Sequence, residues 1–273
     1  MKAWVNGALV DEADAHVSVF DHGLTVGDGV FETAKVVGGV PFALSRHLVR
    51  LAESAGGLGL RAPDTARVRE AVADTLAANA GHDGDLRLRI TLTGGTSPLG
   101  SERGTAGSTL VIAVAPMTTW APSAKVVVVP WTRNERAATA GLKTTSYADN
   151  VVALAYAKAH GGTEAIFANT VGDLCEGTGS NVFLVRGGEV VTPPLRSGCL
   201  AGVTRALLLE WADIRELDLP VGALTEADEV FLTSSTRDVQ AVHAVGDHDV
   251  PPGPVTARLT ELFAERAAGD LDP

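Results

Sequence analysis

The sequence has few of the features that mark secreted, metal-binding or membrane proteins. Cys175 and Cys199 are the only cysteines in 273 residues, too few for a disulfide framework and without metal-ligand spacing around them. No apolar run approaches the length of a membrane span, and the first residues lack an apolar signal core. We therefore expect a cytoplasmic protein with no metal site and no membrane partner.

Basic residues are also scarce, since 22 Lys and Arg stand against 33 Asp and Glu, for a formal net charge of -11. Without a basic cluster, such a chain would be repelled by nucleic acid, which we exclude as a partner. The chain does contain 45% hydrophobic residues, which is enough to bury ordinary cores. On the usual scale of about 100–200 residues per domain, its length predicts two domains.

Hydrophobic periodicity and linker composition divide the chain. Residues 86–92 alternate between apolar and polar side chains, as a half-buried strand does, and residues 45–55 have the spacing of an amphipathic helix. These patterns predict a small α/β domain over residues 1–117. We interpret residues 118–124 as an interdomain linker and residues 125–273 as a larger domain that begins with a run of valines.

Two residues of the second half make chemical sense together. Lys143 lies in Gly-Leu-Lys-Thr-Thr-Ser-Tyr, just before a predicted helix, and Glu176 lies in Glu-Gly-Thr-Gly-Ser-Asn-Val-Phe, where a strand ends. An amine in a partly desolvated pocket can lose its proton near neutral pH and condense with an aldehyde, as happens with pyridoxal phosphate. A carboxylate can keep the ring nitrogen of that cofactor protonated, so that the ring accepts electrons.

These segments resemble the fold-type IV pyridoxal-phosphate enzymes of the class IV aminotransferase family. That family includes branched-chain aminotransferases, D-amino acid aminotransferases and aminodeoxychorismate lyases, and the segment beginning at Glu176 is the most specific part of the match. The resemblance implies a two-domain α/β (α+β) fold with a small N-terminal domain. It further implies a larger domain with a pseudo-barrel of strands and flanking helices, pyridoxal 5'-phosphate as cofactor, and a homodimer.

The resemblance also gives roles to residues around the cofactor. Lys143 is implied as the Schiff-base lysine and the acid/base, and Glu176 as the partner of the ring nitrogen. Arg50 fits the family's His-x-x-Arg-Leu pattern, in which a guanidinium can bind two phosphate oxygens. A helix predicted to begin near Val203 offers free amides to the same phosphate. The implied cofactor-binding residues are Arg50, Lys143, Tyr147, Glu176, Val203, Thr204, Ser235 and Thr236.

The substrate side is less clearly marked. The segment Gly-Asp-Gly-Val-Phe-Glu resembles one that approaches the substrate in the family, whereas Gly94-Gly95 stands where D-amino acid aminotransferases carry an arginine for the substrate carboxylate. Other cations are therefore candidates for that carboxylate. The candidate substrate residues are Phe31, Glu32, Lys35, Gly94, Arg103 and Arg237.

Two reactions fit this cofactor site. We expect a 4-amino-4-deoxychorismate lyase, which releases 4-aminobenzoate and pyruvate for folate synthesis. The wider strings around Lys143, Glu176 and Val203 look most like chains usually described as such lyases, and the missing arginine removes one transaminase carboxylate clamp. Glu32, by contrast, matches transaminases at a place where some lyases have threonine.

The alternative is a pyridoxal-phosphate-dependent aminotransferase of branched-chain, D- or non-proteinogenic amino acids. A third hypothesis is a protein that binds the cofactor at Lys143 without turnover. Individual residues also have ordinary interpretations: Arg50 as an exposed partner of Glu53, Tyr147 as a half-buried tyrosine, and Arg103 as a solvated arginine. Under either enzymatic hypothesis, the partner is a small molecule that carries amino and carboxylate groups.

Overall fold

A computed structural model describes the whole chain, residues 1–273. The chain forms two compact units, each assembled from more than one stretch of sequence. The first consists of Met1–Thr118, Leu142–Tyr147 and Leu271–Pro273, and the second consists of Thr119–Gly141 and Ala148–Asp270.

The first unit contains one six-stranded sheet and three helices. Its strands are β1 (Lys2–Val5), β2 (Ala8–Asp11), β3 (Gly29–Val37), β4 (Val40–Pro41), β5 (Leu86–Thr93) and β6 (Thr109–Pro116). Its helices are α1 (His22–Thr25), α2 (Leu44–Gly57) and α3 (Thr65–Ala78). The strands are antiparallel to their neighbours, in the order β2-β1-β6-β5-β3-β4.

The core of this unit follows from two periodicities. In β5, Leu86, Leu88, Ile90 and Leu92 are buried on one face, as the strict alternation predicts. In α2, buried residues recur every three or four positions and join the same core, which also contains the apolar side of α3. Asp64 caps α3 by accepting hydrogen bonds from the backbone N–H groups of Ala66 and Arg67, at 3.0 and 3.3 Å.

Two segments distant in sequence complete the first unit. Thr144 forms an antiparallel bridge with Val30 of β3. The backbone N–H of Ala43 donates to the carbonyl of Leu271 at 2.7 Å. We predicted residues 125–273 as one continuous domain, and these long-range backbone bonds are the reason that residues 142–147 and 271–273 belong to the other compact unit.

The second unit contains one nine-stranded sheet and three helices. Its strands are β7 (Ser123–Arg133), β8 (Glu164–Asn169), β9 (Leu174–Gly177), β10 (Asn181–Arg186), β11 (Glu189–Thr192), β12 (Ile214–Glu216), β13 (Glu229–Ser234), β14 (Asp238–Val245) and β15 (His248–Asp249). Its helices are α4 (Ala148–Ala159), α5 (Val203–Trp211) and α6 (Pro254–Gly269). The sheet order is β12-β11-β10-β13-β14-β7-β8-β9, and β15 pairs with β14.

The valine run of β7 is buried on both faces at Val126, Val127 and Val129, whereas Val128 is 36% exposed. Val126 belongs to the cluster on one face, and Val127 and Val129 belong to the cluster that packs with α4 on the other face. Strands β14 and β8 flank β7 and run parallel to it, and parallel strands are usually covered on both sides. The sheets and helices of both units confirm the predicted mixed α/β fold. None of the helices has the length and apolarity needed to cross a lipid bilayer.

Candidate active site

The backbone around Lys143 is attached to β3 in the first unit. The N–H of Phe31 donates to the carbonyl of Lys143 at 3.0 Å, and the N–H of Thr145 donates to the carbonyl of Gly29 at 2.7 Å. The N–H of Lys143 itself donates to Oγ of Ser54 on α2, at 3.2 Å. The lysine is therefore held by a strand and a helix of the first unit, and a fixed backbone limits where its amine can lie.

The ring of Phe31 carries two cations and one aromatic neighbour. Nζ of Lys143 lies 4.4 Å from the ring centroid of Phe31, and the guanidinium carbon of Arg89 lies 3.7 Å from it. The ring of Tyr147 meets Phe31 edge to face at 5.2 Å between centroids. The structure thus brings together the predicted residues Lys143, Phe31 and Tyr147, and it adds Arg89. Two cationic side chains beside one aromatic ring favour an anionic ligand.

Glu32 and Arg50 form a buried pair on the other face of β3. Nε and Nη2 of Arg50 donate to the two carboxylate oxygens of Glu32 at 2.8 and 2.7 Å. Nδ1 of His47, on the same helix as Arg50, lies 2.6 Å from Oε2 of Glu32. We predicted Glu32 as a substrate residue, but its side chain belongs to this buried cluster because successive residues of a strand point to opposite faces. The predicted contact between Arg50 and a phosphate stays a prediction.

The electrostatics of this cluster follow from burial and charge pairing. Burial alone would raise the pKa of Glu32, but the charges and hydrogen bonds of Arg50 and His47 outweigh it and lower the pKa to about 2. Burial lowers the pKa of His47 despite the nearby carboxylate. The arrangement is therefore an ionised Glu32 that accepts hydrogen bonds from Arg50 and contacts Nδ1 of His47.

Arg103 is engaged with Asp28, which corrects its predicted availability for a substrate carboxylate. Nε and Nη2 of Arg103 each lie 2.7 Å from a carboxylate oxygen of Asp28. Nη1 and Nη2 also donate to the carbonyls of Gly59 and Leu58, at 2.8 and 2.7 Å. A guanidinium has five N–H donors in a fixed plane, and this geometry directs them to protein acceptors. The pKa of Asp28 is lowered mainly by its bond to Arg103.

Local packing explains why Gly94 and Gly95 carry no side chains. A Cβ atom at Gly94 would lie 2.4 Å from Oδ2 of Asp28. Gly95 has a positive φ of +70°, and its Cβ would lie 1.8 Å from the carbonyl oxygen of Gly107. A side chain at Gly95 is incompatible with this loop, and one at Gly94 would require the Asp28 side chain to move. Gly94 therefore contributes backbone, and the predicted substrate contact there remains a prediction.

Lys35 lies two residues beyond Thr33 on the same face of β3 as Phe31. Its Nζ is 5.1 Å from the ring centroid of Phe42. The side chain is half-buried. Its predicted role toward a substrate carboxylate stays a prediction.

Glu176 lies in the second unit on β9, at the edge of the sheet as the sequence predicted. Its Oε2 accepts a hydrogen bond from the backbone N–H of Leu200 at 2.8 Å, and its Oε1 lies 3.2 Å from Nε of Arg133. Arg133 in turn donates from Nη1 to Oδ1 of Asn150 at 3.0 Å. The carboxylate is thus oriented by one amide and one cation, as a carboxylate that must face a ring nitrogen requires.

The N-terminus of α5 has no side-chain cap, so its first-turn amides are candidates for binding an anion. The helix begins at Val203 after Gly202, which provides no side-chain cap, and the first-turn residues Val203 and Thr204 are buried. Unsatisfied first-turn amides and the helix dipole attract negative charge. Gly202 is required by packing, because a Cβ there would lie 2.0 Å from Oδ1 of Asn181. Nδ2 of Asn181 donates to the carbonyl of Leu200 at 2.8 Å, which fixes the turn before the helix.

Ser235 and Thr236 lie in the turn between β13 and β14, and both are half-buried. The backbone N–H of Arg237 closes this turn by donating to the carbonyl and to Oγ of Ser234, each at 3.2 Å. The structure places the two hydroxyl residues at the tip of a hairpin in the second unit, which also holds Glu176 and Val203. Their contact with a phosphate remains a prediction.

Arg237 is buried in an ion pair, which corrects its predicted availability for a substrate carboxylate. Its Nη2 donates to Oε2 of Glu164, and its Nη1 donates to Oε1 of Gln240 at 2.7 Å. The guanidinium carbon lies 3.9 Å from the ring centroid of Trp120. Only 5% of the side chain is exposed.

The sequence interpretation missed three residues that the structure places beside predicted ones: Arg89, His47 and Arg133. The sequence did contain a signal for Arg89, because alternation in β5 places it on the same face as Thr91. These two residues pair across the strands with Thr33 and Phe31, respectively. His47 belongs to the His-x-x-Arg-Leu pattern, one helical turn before Arg50, so the two side chains share a face. Arg133 had no local signal, since it is 43 positions from Glu176 in sequence.

Comparisons with known proteins give a consistent family. The family model described as amino-transferase class IV matches residues 29–245. A putative branched-chain-amino-acid aminotransferase of Methanocaldococcus jannaschii is 32% identical over 97% of this chain and 96% of its own. The aminodeoxychorismate lyase of Bacillus subtilis is also 32% identical, over 86% of this chain and 84% of its own. The crystal structure of the branched-chain aminotransferase from Thermoproteus uzoniensis with norvaline superimposes with a TM-score of 0.91, at 30% identity, and covers 98% of this chain and 95% of that one.

Proposed function

Because the chain belongs to the class IV aminotransferase family, a family of pyridoxal-phosphate-dependent enzymes, we propose that it is an aminotransferase of amino acids with one carboxylate and an apolar side chain. The motifs around Lys143 and Glu176 led us to expect this family and, within it, the lyase. The relatives support the aminotransferase alternative better, because the match to the branched-chain enzyme extends over more of both chains than the match to the lyase.

One structural observation carries the choice between the two reactions. The lyase substrate has two carboxylates, and we named Lys35, Arg103 and Arg237 as the cations that would bind them. Arg103 is paired with Asp28 and Arg237 with Glu164. An amino acid with one carboxylate needs only a cation close to the ring of Phe31. Arg89 lies at that position.

The residues present fit pyridoxal phosphate. The first unit presents an amine beside two aromatic rings, at Lys143, Phe31 and Tyr147. The second unit presents an oriented carboxylate at Glu176 and a helix N-terminus without a side-chain cap at Val203. An aldehyde, a protonated ring nitrogen and a phosphate are the groups that such an amine, carboxylate and helix end bind.

In the proposed mechanism Lys143 serves both binding and proton transfer, and the other protein groups bind and orient the cofactor. The cofactor, when bound, supplies an electron-withdrawing ring for the electrons of the substrate Cα–H bond. Nζ of Lys143 would hold the cofactor aldehyde and, once free, would accept the proton from the substrate α-carbon. Glu176 would keep the ring nitrogen protonated. The amides of Val203 and Thr204, the Thr204 hydroxyl, Ser235 and Thr236 would hold the phosphate, and the family resemblance implies Arg50 as a further phosphate residue.

A substrate panel tests the proposed function. We expect the purified holoenzyme, mixed with L- and D-amino acids one at a time, to convert its cofactor to the pyridoxamine form with a branched-chain amino acid, without added keto acid. Lys143→Ala should abolish this conversion. A holoenzyme that is unchanged by every amino acid would contradict the proposal and would favour binding without turnover.

The lyase remains the second candidate because a curated lyase is 32% identical to the chain. The same panel should then include 4-amino-4-deoxychorismate as substrate. Release of 4-aminobenzoate and pyruvate together, with no conversion by amino acids, would establish the lyase and the link to folate synthesis. We expect neither product.

We also propose that the enzyme is a homodimer. Val19, Phe20, Leu24 and Leu99 expose 69, 49, 63 and 74% of their surface. A bond between Nε2 of His22 and the carbonyl of Gly100, 2.8 Å long, joins the two segments that carry them. Exposed apolar side chains on neighbouring segments are a feature of interfaces. Light scattering on the purified protein should give twice the chain mass, and Leu24→Lys should shift it to the monomer.

A cytoplasmic location is proposed as well. Cys175 and Cys199 are buried free thiols, and burial raises the pKa of Cys199 to about 11. Thiols of this kind are ordinary in a reducing compartment. Fractionation of the producing cells, with antibody detection, checks the location.

A further inference from the structure

A buried carboxylate lies beside the segment that carries Glu176. Glu164 on β8 is 1% exposed, and its Oε1 accepts hydrogen bonds from the backbone N–H of Thr178, at 2.8 Å, and from the hydroxyl of the same residue. A Cβ atom at Gly177 would lie 3.3 Å from that same oxygen. Glu164 therefore fixes the backbone immediately after Glu176.

Arg237 attaches the same carboxylate to a second part of the proposed cofactor site. Its Nη2 donates to Oε2 of Glu164, while its own backbone closes the turn that contains Ser235 and Thr236. Its guanidinium is further restrained by Oε1 of Gln240, at 2.7 Å from Nη1, and by the ring of Trp120. A planar guanidinium held on three sides has little freedom to rotate, so the turn is tied to β8.

The segment after Glu176 is held from the other side too. Nδ2 of Asn150 donates to the carbonyl of Thr178 at 2.5 Å, and Oδ1 of Asn150 accepts from Arg133, which lies against Glu176. Both backbone polar groups of Thr178 are thus occupied, one by Glu164 and one by Asn150. The bonds form a continuous series from Glu176 to the turn that contains Ser235.

We infer that the Glu164–Arg237 ion pair is a positioning device that sets the placement of the ring-nitrogen carboxylate relative to the phosphate-binding turn. The inference rests on the proposed cofactor site and adds two residues that touch neither cofactor nor substrate. Stability alone does not account for the pair, because two charges buried in place of well-packed apolar side chains are often neutral or unfavourable. Rigid support for groups that must fit a cofactor within a fraction of an ångström does account for it.

The test removes both charges together. Arg237→Met alone would leave an uncompensated buried carboxylate and lower stability for that reason. The double variant Glu164→Gln, Arg237→Met leaves no charge at this buried position. Its matched control is Glu189→Gln, Arg215→Met, which removes an exposed pair with an N–O distance of 3.0 Å on β11 and β12. Apoenzyme of each variant is prepared, its melting temperature is measured, and pyridoxal phosphate is titrated back by absorbance.

We expect the apoenzyme of the double variant to melt within a few degrees of wild type. Its affinity for pyridoxal phosphate should be at least about tenfold weaker, as when residues that support the ligands of a bound group are removed. The control should match wild type in both measurements. Equal affinities of wild type and double variant for pyridoxal phosphate would overturn the inference and leave the proposed function intact. Wild type that binds no pyridoxal phosphate would overturn both.

A milder change covers the case in which the double variant does not fold. Thr178→Val removes the hydroxyl donor to Glu164 with almost no change in volume. We expect an apoenzyme of wild-type stability and a severalfold weaker affinity for pyridoxal phosphate. An unchanged affinity would count against positioning through Glu164.

Discussion

At the scale of single residues, two neighbours on β3 serve opposite faces of the sheet. Phe31 lies under the amine of Lys143 and the guanidinium of Arg89, and Glu32 holds Arg50 in the core. Successive strand residues point to opposite faces of the sheet. A shift of the β3 register by one residue would therefore turn Phe31 into the core and Glu32 toward Lys143. This register therefore links the position of the Phe31 ring, in the proposed substrate site, to the attachment of α2.

The role of Arg89 leads to a prediction for substrate affinity. We expect Arg89→Gln to raise KM for the amino acid about tenfold or more with little change in kcat, because a charge-assisted hydrogen bond to a carboxylate contributes about 1.5–3 kcal/mol. Steady-state kinetics with a branched-chain donor measure both constants.

Arg87→Gln is the control for this change, because Arg87 lies on the same face of β5 but pairs in register with Lys35. It should leave KM within about twofold of wild type, as surface changes away from a site usually do. An unchanged KM in Arg89→Gln would remove Arg89 from the substrate site.

The cluster around Glu32 predicts a loss of stability in acid. The pKa of Glu32 is about 2 in the folded protein and 4.5 as its ordinary value. Its stabilisation is present above the ordinary value and is lost as pH falls toward 2, by about 3 kcal/mol in all. Urea unfolding at several pH values should show this slope in wild type and a flatter one in Glu32→Gln, which starts about 3–5 kcal/mol less stable because Arg50 loses its partner. Parallel slopes in the two proteins would rule out this origin.

At the scale of elements, the loop after β5 is shaped both by close packing at its glycines and by hydrogen bonds of Thr93 and Ser97. Gly95 has a positive φ and no room for a Cβ atom, and Gly94 lies against Asp28. The carboxylate of Asp28 also binds Arg103 and His22. It therefore lies at the meeting point of three segments, those of Gly94, Arg103 and His22. The residues on either side of Asp28 bind the segment of Lys143, since Gly29 and Gly27 accept hydrogen bonds from Thr145.

Substitution of the loop glycines should therefore be sharply position-dependent. We expect Gly95→Ala to lower the free energy of unfolding by about 2–4 kcal/mol, because the new methyl group meets the carbonyl of Gly107 and the backbone has a left-handed conformation. Gly100→Ala is the matched control, since no heavy atom lies within 4 Å of its Cβ position. Thermal melts of both variants compare them, and equal losses would show that the loop rearranges freely.

His22 gives the loop region a dependence on pH. Its Nδ1 lies 3.0 Å from Oδ2 of Asp28 and its Nε2 lies 2.8 Å from the carbonyl of Gly100, and only the charged imidazolium donates both bonds. The bond to Asp28 raises the pKa of His22 above its ordinary 6.5, while nearby Arg103 opposes this. The stabilisation is complete below the ordinary pKa and is lost as pH rises through the raised one.

Hydrogen exchange of residues 97–103 measures this effect. After correction for intrinsic exchange, we expect their protection in wild type to fall as pH rises above about 6.5. In His22→Gln the protection should be lower and independent of pH over the same range. A pH-dependent variant would show that another group controls the loop.

At the scale of the whole molecule, regular patterns were predictable and distant pairings were not. The alternation in β5 and the stripe of α2 gave the first core. Strand β14 was not predicted because a register shift between Val242 and Ala244 interrupts its alternation. The Lys143 segment joined the first unit through β3, which no local pattern indicates.

The same distinction applies to the candidate site. Arg103 and Arg237 were suggested as substrate cations because an isolated arginine in sequence shows no partner. Their carboxylates are Asp28 and Glu164, 75 and 73 positions away in the chain. Charge pairing across such separations depends on the tertiary fold, whereas Lys143, Glu176 and the N-terminus of α5 are marked by local motifs.

Covalent attachment of the cofactor to Lys143 is the most direct test of the proposed active site. Lys143 belongs to the first unit, and Glu176 belongs to the second. Holoenzyme is reduced with borohydride, digested, and searched by mass spectrometry for a lysine that carries the pyridoxyl group. We expect that group on Lys143, with little or no labelling in Lys143→Ala. A label on another lysine, or an unlabelled wild-type protein, would contradict the proposed active site.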